Sequence, residues 1–271
     1  MRRAEIDGVT LEYEVQGSGD PVVLIHGSHI ADTFATLMTE PALRDAFSLI
    51  RYHRRGFAGS SRADAPLSIS GQASDCLGLM RHLELERAHV VGHSYGGAIA
   101  LQLALDAPEA VRSLSLLEPA LLDVPSGAQV GEIIGHTVEI YEAGDKAEAV
   151  DAFLQAVCGK AYRAAADKVL PGAMEQAVAD ADTFFGVELP ALGEWTFSQE
   201  YAARIKQPVL AVLGADSETA TGLPAFGEGH RLLLEWFPQA KPFVLPRATH
   251  LLHVQNPQDM AQGLALFFAE N

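Results

Sequence analysis

The sequence predicts an α/β fold with a mostly parallel, doubly wound β-sheet. Short strand-like runs alternate with longer helical runs along most of the chain, which is the pattern of a parallel sheet covered by helices. The length of 271 residues suffices for one large α/β domain, and the composition of 48% hydrophobic and 20% charged residues is ordinary for a globular protein. The predicted strands are Thr10–Val15, Pro21–Ile25, Phe47–Tyr52, Ala88–Val91, Ser113–Leu117, Val209–Leu213 and Lys241–Leu245.

Helical runs lie between or after these strands. The final helix has the clearest start, because Asn256 can cap its N-terminus and Pro257 suits the first helical position. The predicted helices are Ser70–Leu83, Tyr95–Leu105, Gly229–Trp236 and Pro257–Phe268.

The alternation stops between Leu122 and Tyr201. About 80 residues without a strand-like run are too many for a simple crossover between two core strands. We therefore predict a helical cap (lid) inserted over residues 122–201, with residues 1–121 and 202–271 forming the core. The aromatic side chains of this insertion are candidates for an apolar pocket wall: Phe153, Tyr162, Phe184, Phe185, Trp195 and Phe197.

Charge and cysteine content limit the partners and the compartment. The net charge of −16 disfavours nucleic acid and anionic membranes, so we expect a small-molecule substrate. Cys76 and Cys158 show neither a disulfide framework nor a metal-ligand spacing, and we expect no metal and no cofactor. The N-terminal residues lack the apolar segment of a signal peptide, and no run is long enough to span a membrane. We expect a cytoplasmic protein, and the sequence leaves its oligomeric state open.

A serine stands between glycines where a strand gives way to a helix, in the segment VVGHSYGGA at residues 90–98. One interpretation is that Ser94 caps the helix, since serine is a favoured N-cap residue. The other is that Gly92 to Gly96 form a G-x-S-x-G turn, in which small neighbours let the backbone bend tightly and present a nucleophilic serine.

A nucleophilic serine needs a base, because its hydroxyl reacts poorly until a proton acceptor is positioned beside it. His250 is the best candidate. It follows a predicted strand and precedes the final helix, so it lies on a loop at the edge of the sheet where ligands bind in open α/β folds.

The chain resembles the α/β-hydrolase superfamily of serine hydrolases with a helical cap. Two positions of the histidine segment depart from the usual residues, with Thr249 in place of Gly and Gln255 in place of Glu. Four segments carry the resemblance: GHSYG at 92–96 as the nucleophile elbow, IHGS at 25–28 as the HG turn, RGFAGS at 55–60 as the R-G-x-G-x-S loop, and ATHLLHVQNPQDM at 248–260 around the catalytic histidine.

The resemblance implies a site for acyl transfer. Ser94 attacks a carbonyl carbon and His250 carries the proton. The backbone N–H groups of Ser28 and Tyr95 form an oxyanion hole, which stabilises the negative charge of the transition state. Two side chains are candidates for binding substrate: His29 and Trp195.

Two carboxylates compete to orient the histidine. Asp216 follows the seventh strand, where the family usually places its acid, but it comes one residue early and Ser217 occupies the usual position. Glu118 directly follows the sixth strand, where some relatives carry the acid instead. The chain order Ser, acid, His fits both, and we favour Glu118.

A serine at the elbow disfavours dehalogenases and epoxide hydrolases, which use aspartate there. Hydrolysis of a small carboxylic ester or related acyl substrate is the default prediction. C–C bond hydrolysis next to a ketone and cofactor-free perhydrolysis are alternatives on the same triad. A ligand receptor or signalling protein with little turnover is an alternative of another class, because fold alone does not fix function.

Overall fold

An eight-stranded sheet forms the centre of the computed structural model, which describes residues 1–62 and 67–271. The spatial order is β1-β2-β4-β3-β5-β6-β7-β8, and every neighbouring pair from β4 to β8 is parallel. The predicted mostly parallel, doubly wound sheet is thereby confirmed. Its strands are β1 Arg2–Ile6, β2 Val9–Gly17, β3 Asp20–Ile25, β4 Phe47–Tyr52, β5 Ala88–His93, β6 Val111–Leu117, β7 Val209–Gly214 and β8 Ala240–Leu245.

The sequence patterns missed β1, which pairs antiparallel with β2 at the edge of the sheet. Only Ala4 and Ile6 of this strand are buried, so its hydrophobic signal is weak. The turn that follows carries a clearer signal. Asp7 and Gly8 both have positive φ angles, of 48° and 85°, and an Asp-Gly pair between two strands is typical of a tight hairpin.

Helices cover both faces of the sheet. Successive residues of a strand point to opposite faces, and on β5 Val90 packs with one hydrophobic cluster while Val91 packs with another. The first cluster includes Leu79 and Ile99, whereas the second includes Leu264. The helices of the core are α1 Ala35–Met38, α2 Pro41–Arg44, α3 Ile69–His82, α4 Tyr95–Asp106, α12 Ser217–Thr221, α13 Ala225–Trp236, α14 Leu252–Gln255 and α15 Pro257–Ala269.

Between β6 and β7 the described chain is helical and contains no strand, in agreement with the predicted helical insertion. A third hydrophobic cluster joins its helices to Ile30 and Leu251, which lie in the loops after β3 and β8. The division of the chain into core and cap domains stays a prediction. The helices are α5 Gly127–Glu142, α6 Lys146–Cys158, α7 Tyr162–Val169, α8 Ala173–Ala179, α9 Ala181–Thr183, a π-helical turn Phe184–Glu188, α10 Leu189–Glu194 and α11 Gln199–Ala202.

A buried ion pair connects this insertion to the core. Arg54 follows β4 and donates to the carboxylate of Glu188 in the π-helical turn, and their side chains are only 1% and 0% exposed. Burial raises the pKa of Glu188, against the opposing effect of the Arg54 charge. Removal of one partner from such a pair leaves an uncompensated buried charge.

None of the helices in the described ranges is long and apolar enough to cross a membrane.

We expect Glu188→Ala to lower the free energy of unfolding by about 3–5 kcal/mol, because Arg54 then stays buried without its counter-ion. Chemical denaturation measures this change through the midpoint of the unfolding transition. Glu175→Ala is the matched control, since Glu175 lies exposed on α8, and it should change the free energy by less than about 0.5 kcal/mol. Equal effects of the two substitutions would contradict the prediction.

Candidate active site

Ser94 lies at a sharp turn between β5 and α4, with φ of 51° and ψ of −119°. A non-glycine residue rarely adopts a positive φ, and such strain is concentrated at functional sites. The serine side chain makes no capping hydrogen bond to α4, although Ser94 holds the N-cap position. The geometry is therefore that of a strained strand-to-helix turn, and the Ser94 side chain does not act as a hydrogen-bonding cap of α4.

Two glycines permit this turn because larger residues would collide with backbone. A Cβ atom on Gly92 would lie 2.4 Å from the carbonyl oxygen of Gly96. A Cβ atom on Gly96 would lie 2.2 Å from the carbonyl oxygen of Ile25 at the end of β3. The G-x-S-x-G pattern thus corresponds to the close approach of α4 to the sheet.

His250 lies in the loop between β8 and α14 and forms a hydrogen bond with Glu118. Its Nδ1 atom is 2.6 Å from Oε2 of Glu118, which follows β6 with a positive φ of 42°. The side chains are 7% and 0% exposed, so water barely reaches the contact. Glu118 therefore orients the imidazole from the side opposite to Nε2.

The structure brings Glu118, and not Asp216, to the histidine. The other carboxylate oxygen of Glu118 accepts hydrogen bonds from Gly214 N at 2.8 Å and from the Ser217 hydroxyl at 2.5 Å. Ser217 stands at the position where the resemblance to the α/β-hydrolase superfamily places the acid. Asp216 is exposed, and its backbone N–H donates to the carbonyl oxygen of Ala248. The end of β7 thus supplies hydrogen-bond donors to an acid that follows β6.

Two rings flank His250 and restrict its orientation. His93 packs with a centroid distance of 4.7 Å, and its Nε2 atom donates to the carbonyl oxygen of His250 at 2.8 Å. Phe226 of α13 packs at 4.6 Å. Burial keeps the pKa of His93 well below its usual value, so this ring stays neutral.

The two departures in the histidine segment interact with each other. The Thr249 N–H donates to Oε1 of Gln255 at 2.7 Å, so the glutamine amide oxygen serves as the acceptor. The Thr249 hydroxyl donates to the carbonyl oxygen of Cys158 at 2.7 Å, at the end of α6. Through these hydrogen bonds, Thr249 connects the loop of His250 to the helical insertion.

The backbone N–H groups of Ser28 and Tyr95, the predicted oxyanion donors, have no acceptor among the described residues. Within residues 1–62 and 67–271, neither group donates a hydrogen bond to another protein atom. Tyr95 is the first residue of α4, where N–H groups have no intrahelical acceptor. A Cβ atom on Gly27 would lie 3.1 Å from Cβ of Ser94, so the HG turn lies directly against the elbow.

Ser94, His250 and Ser28 line one cavity with a volume of about 90 Å³. Among the described residues no hydrogen bond joins Ser94 to His250, but the shared cavity gives both access to the same bound molecule. The rest of the wall is mostly apolar, and its lining side chains in the described chain include no lysine or arginine. Most of the apolar wall comes from the insertion and from α13, through residues such as Val130, Ile134, Phe153, Phe184, Phe226 and Leu233.

The two candidates for substrate binding lie away from this cavity. His29 is buried behind the wall, with its ring 4.2 Å from that of Phe184, and burial lowers its pKa to about 3. Trp195 donates its indole N–H to Gln102 on the outer side of α4 and lies in a separate surface groove. Neither side chain lines the cavity that contains Ser94, and substrate binding by either of them stays a prediction.

Of the aromatic residues predicted to form a pocket wall, Phe153 and Phe184 line the cavity, whereas the others pack elsewhere. Sequence reasoning missed Phe226 and His230 of α13, although their spacing with Leu233 is that of one helical face. No pattern could indicate Ser217 as a partner of Glu118.

Across residues 1–62 and 67–271, no three His, Cys, Asp or Glu side chains are grouped to hold a metal ion.

The chain is similar to enzymes of several activities. It is 36% identical over 117 residues to the dihydrolipoyllysine-residue acetyltransferase component of the acetoin cleaving system of Cupriavidus necator, a match that covers 43% of this chain and 31% of that protein. It is 34% identical over 122 residues to fluoroacetate dehalogenase from a Burkholderia species, which covers 43% of this chain and 40% of that protein. These matches span less than half of the relatives' own length.

The fold is similar over the full length to a solved structure. A thermophilic esterase from Thermogutta terrifontis superposes with a TM-score of 0.84 and 22% identity, covering 100% of this chain and 99% of that one. The family model for the alpha/beta hydrolase family matches residues 22–262, which include the elbow, the HG turn and the loop of His250. The chain therefore belongs to the alpha/beta hydrolase family.

Proposed function

We propose that this protein is a serine hydrolase that cleaves small, uncharged carboxylic esters or related acyl compounds through a Ser94–His250–Glu118 triad. The contact between His250 and the buried carboxylate of Glu118, in the cavity that contains the strained Ser94, carries this proposal. It places an orienting acid beside a base in the cavity that also contains the serine, which are the three groups that acyl transfer through a triad uses.

In the proposed mechanism, Ser94 Oγ attacks the substrate carbonyl carbon while Nε2 of His250 accepts the hydroxyl proton. Glu118 accepts a hydrogen bond from Nδ1 of His250 and stabilises the imidazolium that forms. The N–H groups of Ser28 and Tyr95 stabilise the tetrahedral oxyanion. His250 then protonates the leaving alcohol, and a water molecule hydrolyses the acyl-enzyme by the same steps in reverse order.

The lining of the cavity supports a neutral substrate. Glu118 is the one carboxylate in the described wall and is already bound to His250, Gly214 and Ser217, so it is not available to bind substrate. Burial lowers the pKa of His230, which disfavours the charged form of this ring. A buried carboxylate without a cationic partner is strongly unfavourable, so a substrate with a free acid group is disfavoured in the acyl site.

The lack of a lysine or arginine in the described cavity wall also bears on the alternative functions. C–C bond hydrolysis of vinylogous diketone acids requires a site for a carboxylate, and the described wall offers no cation for it. Dehalogenation is the activity in the name of one relative, but that chemistry uses aspartate at the elbow and this chain has Ser94. Perhydrolysis and ligand binding with little turnover are distinguished from ester hydrolysis by the kinetics of the wild-type protein and of Ser94→Ala.

We expect Ser94→Ala to lower kcat/KM for p-nitrophenyl acetate or butyrate by at least about a thousandfold, because the nucleophile is lost. Steady-state release of p-nitrophenol measures the change. A stoichiometric burst with no later turnover in the wild-type protein would favour the receptor alternative. Faster acyl transfer to hydrogen peroxide than to water would favour perhydrolysis.

We expect Glu118→Gln to lower kcat by roughly 10³–10⁴, because a carboxamide facing Nδ1 favours the wrong tautomer of His250. The glutamine oxygen can still accept from Gly214 and Ser217, so the fold should persist. Asp216→Asn is the matched control and should change kcat by less than about twofold, since Asp216 is exposed. The opposite ranking would assign the acid to Asp216.

We expect methyl butyrate to be hydrolysed at least about tenfold faster than monomethyl succinate, measured as kcat/KM by proton release in a pH-stat. The two acyl groups are of similar length, but the second carries a carboxylate for which the described cavity wall has no cation. Equal rates would show that the acid group stays in water or finds a partner, and would overturn the assignment of a neutral substrate.

A further inference from the structure

The orientation of the Ser28 N–H is set by the peptide that contains it. This Gly27–Ser28 peptide is trans and planar, so its carbonyl oxygen and its N–H point in opposite directions. The Gly27 oxygen accepts two hydrogen bonds, from Nη2 of Arg54 at 2.8 Å and from Nδ1 of His26 at 2.7 Å. The two side chains that bind this oxygen therefore fix the direction of the Ser28 N–H, which points away from them.

The protonation of His26 follows from its partners. Its Nε2 atom accepts from the backbone N–H of Arg54 at 3.1 Å, so the ring proton resides on Nδ1 and points to the Gly27 oxygen. Burial, together with the Arg54 charge, keeps the pKa of His26 well below its usual value. His26 is thus a fixed neutral donor.

Arg54 contributes more than this one contact to the turn. Its Nε atom donates to the His26 carbonyl oxygen at 3.1 Å, and Nη1 donates to Oε1 of Gln72 at 2.6 Å and to the carboxylate of Glu188. The guanidinium lies 4.7 Å from the ring of Phe57 and 4.9 Å from that of Tyr95. Lysine cannot reproduce this planar set of donors.

The second oxyanion donor is connected to the same guanidinium. Gln72, which accepts from Arg54, donates from Nε2 to the Tyr95 hydroxyl at 2.9 Å. Tyr95 also presents its ring to Arg54, and its own N–H is the expected donor at the start of α4. Both residues of the proposed oxyanion hole are therefore connected to the buried Arg54 guanidinium, which is not among the described residues that line the cavity.

We propose that Arg54 is a positioning residue for the oxyanion hole, and that Glu188 holds it in place, so that docking of the helical insertion is linked to the orientation of the Ser28 N–H. This inference rests on the proposed function for its catalytic consequence. Glu188 comes from the π-helical turn of the insertion, and its second oxygen, Oε2, has no hydrogen-bond partner among the described residues. The ion pair with Arg54 is therefore the main polar contact of the Glu188 side chain with the core.

The test compares Arg54→Lys with Arg55→Lys. Arg55 is the matched control, because it forms a two-point contact with Asp75 at 3.0 Å and 2.5 Å and does not contact the Gly27–Ser28 peptide. The first readout is the backbone amide signal of Ser28 in protein labelled with [15N]serine, assigned by its loss in Ser28→Ala. We expect Arg54→Lys to shift this signal and Arg55→Lys to leave it in place.

The second readout is hydrolysis of p-nitrophenyl acetate per active site. Loss of one oxyanion donor costs about 10²–10³ in kcat, and a misoriented donor retains part of its effect. We expect Arg54→Lys to lower kcat about ten- to hundredfold with KM changed less than about twofold, whereas Arg55→Lys changes kcat less than about twofold. An unmoved Ser28 signal, or equal kcat losses in the two variants, would overturn the proposal.

Glu188→Gln keeps the test decisive if Arg54→Lys does not fold. The amide oxygen can still accept from Arg54 but carries no charge, so we expect a smaller shift of the Ser28 signal in the same direction. No shift would overturn the link to the insertion. The amide signal is read without substrate. If it moves but the wild-type protein shows no Ser94-dependent turnover, the proposed function fails and the positioning role of Arg54 stands.

Discussion

The contact between Glu118 and His250 is the interaction on which the arrangement of the candidate site depends. The carboxylate is fully buried and each of its oxygens has partners, with Nδ1 of His250 on one side and Gly214 and Ser217 on the other. A buried charge is tolerated only when it is paired and hydrogen-bonded in this way. The ends of β6, β7 and β8 must therefore stay in register, because each strand end contributes one part of the set.

The helical insertion is connected to the core at more than one point. Its apolar residues form the cavity wall opposite Ser94. At the polar points of attachment, Thr249 beside His250 donates to the end of α6, and Glu188 binds Arg54 beneath the HG turn. The cavity wall, His250 and the HG turn are thus parts of one packed unit, although they come from distant segments of the chain.

Much of this arrangement could be predicted from local patterns. The parallel strands, the elbow at Ser94 and the loop of His250 have signals within a few residues, since strand and turn preferences are local. Local patterns favoured Glu118 but left Asp216 as a candidate, because the choice depends on which side chain points into the space between three strand ends. Arg54 and Glu188 lie 134 residues apart, so no spacing rule relates them. Tertiary packing likewise determines the pairing of the polar edge strand β1 and the direction in which the Trp195 side chain points.

The positive φ angles of Ser94 and Glu118 have a consequence for how such a chain evolves. Each sterically strained backbone position costs on the order of 1–3 kcal/mol, which is a sizeable part of the roughly 5–15 kcal/mol net stability of a folded domain. Glycine would relieve the strain at either position, so selection for stability alone would replace both residues. The proposed function needs both side chains, so it implies that favourable packing elsewhere in the fold offsets this cost.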